Sequence, residues 1–217
     1  MGRLLCFVAV VAALSGAAAA FAAVADKEQH KFTAADEAAA RSAVMQRADL
    51  TTTGWTGGAK APDLAPAPTC ANFHPKQADL VVTGAAESDW SDQGLQLDTQ
   101  AQILKTPAMV AADWRRTILA PGAVQCLRSR LFKKLGAVTF VSFRRVIFAP
   151  VATNAEAFLM LVDVKTSTAK VRVAVEFVAI AHGRTELTIV SVVNNAVQKV
   201  VAQIDAQIAQ ALVARAT

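Results

Sequence analysis

Lys170 to Val193 reads KVRVAVEFVAIAHGRTELTIVSVV, and this stretch decides the fold. Val171, Val173, Val175, Phe177 and Ala179 alternate with Lys170, Arg172, Ala174 and Glu176. A period of two places successive side chains on opposite faces of a strand. His182-Gly183 supplies a tight two-residue turn. From Thr185 the chain returns, with Leu187, Ile189, Ser191 and Val193 set against Glu186, Thr188, Val190 and Val192. Two long strands joined by so short a turn pair antiparallel.

Upstream the same period recurs. A strand runs over 155–165, with Phe158, Met160, Val162 and Val164 on one face, and another over 139–149. Arg144-Arg145 interrupts the alternation of the latter, as a β-bulge would. Four long strands therefore form an antiparallel meander. Downstream the period changes. Val197, Val200, Val201, Ile204, Ile208 and Leu212 recur at three and four residues, the stripe of a long amphipathic helix, capped by Asn194-Asn195. Its apolar side is expected to lie across the sheet.

The N-terminal half carries weaker signals. Residues 33–48 read as a helix capped by Thr33, with Asp36 three residues on and a thin apolar face that predicts light packing. Residues 54–72 are rich in Gly and Pro and read as a loop holding Trp55 and ending near Cys70. A short strand is expected over 79–84, a polar loop with Trp90 over 85–92, and a second short strand at Leu95 and Leu97. Helices are expected over 99–119, kinked at Pro107, and over 123–135. The whole is an α+β domain: a twisted antiparallel sheet of about four long strands, covered on one face by helices, with a long C-terminal amphipathic helix.

Residues 1–25 stand apart. A basic start at Arg3, an uncharged stretch from Leu4 to Ala25 and an abrupt Asp26-Lys27-Glu28 make the pattern of a secretory signal peptide. Small-x-small sites precede cuts after Ala22 or Ala25; retention as an anchor is the alternative. The remainder, 26–217, reads as one extracytoplasmic domain. It holds two thiols, Cys70 and Cys126, and in an oxidising compartment such a pair forms a disulfide. Two Cys with no nearby His pair lack the ligands of a metal site, and without Cys-x-x-Cys there is no redox motif.

With 54% hydrophobic and 18% charged residues, the 217-residue chain can bury a large core, which excludes intrinsic disorder. The net charge of +5 is scattered, so it does not argue for nucleic acid. No phosphate loop, calcium loop or Gly-x-Ser-x-Gly elbow occurs, and no cofactor is implied. His30, His74 and His182 lie in separate local contexts, and Glu87, Asp89 and Asp92 surround Trp90 in the manner of a solvated loop. The candidate binding residues are Trp55 and Trp90, loop aromatics that either anchor a loop or line a pocket. Arg130, Lys133 and Lys134 share one helix side and are the candidate basic surface for an anionic envelope component.

The order of signal peptide, helix, Cys-bearing loop, the strand Asp79-Leu80-Val81-Val82-Thr83-Gly84, a helix running into Leu119-Ala120-Pro121-Gly122-Ala123-Val124-Gln125-Cys126-Leu127, meander and final helix resembles small exported actinobacterial proteins. It is similar in layout to the extracellular sensor domains of bacterial Ser/Thr kinases and to related envelope lipoproteins. Those sensor domains usually carry two disulfides, and the lipoproteins carry a lipobox; this chain has two cysteines in 26–217 and no lipobox. The resemblance implies an extracytoplasmic binding domain with a cleft. The expected function is thus an exported, non-enzymatic binding or sensor-like domain for an apolar small molecule or lipid. A cell-envelope hydrolase, or an interaction protein using the basic surface, are the alternatives.

Overall fold

The computed structural model describes residues 26–50, 52–132, 138–166 and 169–216. The expected signal peptide, 1–25, lies outside the described residues. In chain order the strands are β1 (Gln29–His30), β2 (Thr56–Lys60), β3 (Val81–Asp92), β4 (Leu95–Leu104), β5 (Val138–Val146), β6 (Asn154–Lys165), β7 (Lys170–His182) and β8 (Thr185–Asn194). The helices are α1 (Ala34–Ala43), α2 (Pro107–Thr117), α3 (Ala123–Phe132) and α4 (Gln198–Arg215). One eight-stranded sheet has the order β1-β3-β4-β8-β7-β6-β5, with β2 also paired to β3. Only β1 runs parallel to its neighbour. The domain is α+β, and the four-strand meander is present as β5 to β8.

The N-terminal half corrects the sequence reading. The stretch expected as short strands, a polar loop and the start of a helix is instead one long hairpin. It turns at Gln93 and Gly94, whose φ angles are 43° and 88°. In β4 the buried Leu97, Thr99, Ala101 and Ile103 alternate with the more accessible Gln96, Asp98, Gln100 and Gln102. That is strand periodicity, and it overrides the helical propensity of Ala and Gln. The helix starts only at Pro107, in its first turn, where Thr106 Oγ1 accepts from the Met109 N–H at 3.2 Å. Within the expected 54–72 loop, β2 adds a five-residue edge. At Gly57 a Cβ would sit 2.1 Å from the Asp89 carbonyl oxygen.

α1 begins at its predicted cap, Thr33, which accepts from the Asp36 N–H at 3.2 Å. It stops at Ala43 because side chains of the hairpin take over the next backbone groups. The Met45 N–H donates to Thr99 Oγ1 at 2.9 Å, and its carbonyl accepts from Ser88 Oγ at 2.8 Å and Trp90 Nε1 at 3.3 Å. Buried backbone groups must be paired, and these partners are available only to an extended Met45. The helix does not pack lightly, as its thin apolar face suggested. Ala40 and Ala43 are fully buried, and α1 lies so close over Gly84 that a Cβ there would stand 2.3 Å from the Asp36 backbone. Gly84→Ala is therefore expected to lower stability by about 1–3 kcal/mol through overpacking; an unchanged urea midpoint would refute the close approach.

Helices cover both faces of the sheet, not one. On the first face α1 and α4 close over Val178, Ile180, Leu187 and Ile189 through Ala40, Ala43, Ala209 and Leu212. On the second, Val110 and Trp114 of α2 pack with Leu80, Leu104, Ala179 and Ala181. The reason lies in β7 itself, where Ala174, Val178 and Ile180 give the second parity an apolar stretch that is buried like the first. The turn after β7 is Gly183-Arg184, since His182 pairs with Thr185. The bulge in β5 falls at Val141, not at Arg144-Arg145. In α4 the buried positions are Val201, Asp205, Ala209 and Leu212, whereas Val197 and Val200 of the predicted stripe are 47% and 57% exposed. Val197 belongs to the short 3₁₀ turn that precedes the helix, and Val200 lies one step of about 100° off the buried line.

Cys70 and Cys126 form the expected disulfide. It fastens the segment 61–77 to α3, where Phe73, Ala123 and Cys126 pack together. Two ion pairs clasp distant parts of the chain. Arg184, at the β7–β8 turn, donates to Asp36 of α1 at 2.6 Å and to the Leu104 carbonyl at 2.9 Å. Arg215, in the last turn of α4, donates to both oxygens of Asp49 at 2.6 and 2.8 Å.

Candidate functional site

A groove of about 630 Å³ runs along the outer edge of β3. β1 pairs with β3 only at Val81 and Val82, and β2 joins it only from Glu87 onward. Between them α1 bridges the gap and the segment after β2 folds over it. Phe32, Val44, Met45, Leu64, Ala86 and Trp90 form the apolar lining. The volume falls within the range of small-molecule sites. A hollow of about 390 Å³ beside the β3–β4 turn includes the exposed Val197 and Val200. An apolar pocket between α2, α3 and Phe158 measures about 140 Å³, below that range.

The groove's charges are arranged unevenly. Lys60 Nζ lies 2.8 Å from Glu87 Oε1 and 2.5 Å from Asp98 Oδ2. Burial opposes the Lys60 charge, but the hydrogen bonds it donates to Asp98 and Glu87 outweigh it and hold its pKa above the ordinary value. Burial, with the negative charge of Glu87, lifts Asp98 to about 6 against the pull of Lys60. The second oxygen of Glu87 accepts the Asp63 N–H at 2.6 Å, which ties down the covering segment. Arg41 and Arg47 also line the groove, and their segments are joined by Gln46 Nε2, which donates to the Arg41 carbonyl at 3.4 Å. Among the described residues neither has a carboxylate partner; Arg47 reaches only the carbonyls of Leu50 and Thr52, at 3.3 and 3.5 Å.

Trp90 is 6% exposed and packs with Met45 and Leu97, and one side of it lines the groove. Trp55 packs against the same cluster and donates from Nε1 to Thr52 Oγ1 at 2.9 Å. The two predicted aromatics are thus brought together, Trp90 as part of the groove and Trp55 behind it. The basic surface is not brought to this site. Arg130 lies on α3, and Lys133 and Lys134 fall outside the described residues. Glu87, Asp89 and Asp92 are on strand β3, not in a loop, and alternation sends Asp92 to the face opposite the other two. His30 stacks on Phe32 with centroids 5.7 Å apart, while His74 and His182 are exposed on other elements. Arg41, Val44, Leu64 and the β2 residues of the groove were missed in the sequence. Their only joint signal is a tertiary one, the gap left between β1 and β2.

Elsewhere lie a half-buried acidic cluster and a single fully buried acid. Gln77 Nε2 donates to Glu28 Oε1 at 3.2 Å and lies 3.5 Å from Asp113 Oδ1, and Glu186 adjoins them. Burial, then the charge of Asp113, raises Glu28 to about 7; burial also raises Asp113 and lifts Glu186 well above the carboxylate range. Beneath α4, Asp205 is fully buried. Its Oδ2 accepts from Ser191 Oγ at 2.7 Å, its Oδ1 has no partner, and burial lifts its pKa to about 7. Among the described residues no group of three His, Cys, Asp or Glu is placed to hold a metal ion, and no helix is long and apolar enough to cross a membrane.

The chain matches no family model and no curated protein. Among solved structures it aligns with PA94 of Pseudomonas aeruginosa, a protein of unknown function, at 13% identity over 54% of this chain and 83% of that one. The TM-score of that alignment is 0.28, too low to carry an argument about fold or role.

Proposed function

We propose that this protein is a non-catalytic binding or sensor-like domain of the cell exterior that takes a small apolar molecule or lipid in the groove between α1 and β2. The observation that carries the reading is the groove itself, about 630 Å³ and lined in large part by apolar side chains. The disulfide, the signal-like residues 1–25 and the resemblance in layout to exported sensor domains support the compartment. The candidate acid within the groove, Glu87, is engaged by Lys60 and the Asp63 N–H, which suits a structural tether better than a proton shuttle.

Titration with the neutral fluorophore N-phenyl-1-naphthylamine tests the reading. Saturable binding at one site is expected, with a change in tryptophan emission because Trp90 lines the groove. Ala59→Trp, on the exposed β2 edge of the groove, is expected to weaken binding about tenfold or more while the circular dichroism spectrum is kept. Absent or unsaturable binding, or binding indifferent to Ala59→Trp, would sink the groove as the ligand site.

A further inference from the structure

Resting on the groove as the ligand site, we infer that its ligand is a single-chain amphiphile with an anionic head, the head held between Arg41 and Arg47 and the chain laid along Met45, Ala86 and Trp90. Five charged side chains line the groove: Glu37, Arg41, Arg47, Lys60 and Glu87. Lys60 is spent on Glu87 and Asp98 and offers no free cation. The two arginines differ. Asp49, two residues from Arg47, has both oxygens occupied by Arg215. Glu37 stands one turn before Arg41 yet forms no ion pair with it among the described residues. Once Lys60 and Glu87 are set against each other, two arginines against one carboxylate leave the rest of the lining net positive, beside its apolar residues. A guanidinium without a carboxylate partner recognises carboxylate or phosphate oxygens through charge-assisted hydrogen bonds. A wholly apolar ligand would leave both cations unused, and a polar anion without a chain would leave the channel unfilled.

Calorimetric titration of the full domain with decanoic acid, decyl phosphate and 1-decanol at neutral pH tests this. The acid or the phosphate is expected to bind about tenfold or more tightly than the alcohol. The stronger of the two anions identifies the head as carboxylate or phosphate. The double substitution Arg41→Gln and Arg47→Gln should remove that preference and leave decanol binding unchanged. Equal affinity for anions and alcohol, untouched by the double substitution, would overturn the head assignment while the groove stands. Failure of all three to bind, or binding insensitive to Ala59→Trp, would overturn the groove reading itself.

Discussion

Asp205→Asn is expected to stabilise the protein strongly at pH 8 and by less than half as much at pH 5. Asp205 has no exposed surface, one of its oxygens is unpartnered, and the carboxylate of Glu176 adds negative charge nearby. Burial, partly offset by the Ser191 hydrogen bond, moves its pKa from 3.8 to about 7. The folded state therefore holds a proton that the unfolded state releases. Stability from this group is fully present below the unfolded value near 3.8 and is lost as pH rises through about 7. At about 1.4 kcal/mol per pH unit, the loss accrues between those two values and by pH 8 is on the order of 4–5 kcal/mol. Asn is neutral throughout and escapes it. Glu28, also at about 7, and Glu186 act with the same sign. Asp36 and Asp49 act with the opposite sign: hydrogen bonds, from Thr83 and Arg184 to the first and from Arg215 to the second, hold their pKa values down. Their contribution is lost on acidification below the ordinary carboxylate range. Wild-type melting temperature should thus peak in mildly acidic solution and fall toward pH 8.5. A flat profile, with no gain from Asn at pH 8, would show that the carboxyl is not buried as described.

Opening the Cys70–Cys126 bridge is the second large effect. The two cysteines are 56 positions apart, and their loop contains β3, β4 and α2. In the chain-entropy account, a loop of this size is worth about 4 kcal/mol, mostly through the unfolded state. The bridge also holds the 61–77 segment, which carries Gln77 to the buried acids and Leu64 to the groove. The double variant Cys70→Ala/Cys126→Ala should lower the urea midpoint markedly and raise the slope, because the unfolded ensemble expands. Wild-type protein under reductant should follow the same curve. A midpoint within error of the oxidised protein would mean that the segment is fixed by its packing alone.

The meander was readable because β6, β7 and β8 carry apolar residues at one parity over much of their length. β7 is the clearest example, yet its second parity, Ala174, Val178 and Ile180, also carried the news that both faces are covered. The β3–β4 hairpin was obscured by its polarity. Glu87, Asp98 and Gln100 look like loop or helix residues until Lys60 and the backbone of Asp63 are there to satisfy them. The end of α1 was unreadable for a similar reason, since Met45 is taken out of the helix by Thr99, Ser88 and Trp90, more than forty residues away. The groove depends on where β1 stops and β2 starts along one edge. Neither event has a pattern of its own: β2 is Thr-Gly-Gly-Ala-Lys, mostly exposed. Trp90 alone pointed to the place.

The strand order has a consequence for how the chain comes to be folded. Strands β5 to β8 are consecutive neighbours, and so are β3 and β4, but the two blocks meet at a single seam, β4 against β8. Across the seam lies the pair α1 and α4, and α4 is the last eighteen-residue helix, fastened by Arg215 to Asp49 at a separation of 166 residues. The late, long-range closure costs chain entropy before it returns any contact. Until α4 is in place, Ala40 and Ala43 therefore lack one side of their cover. The seam between the two blocks is closed by the helix farthest along the chain from α1, so the first-formed helix waits on one made much later.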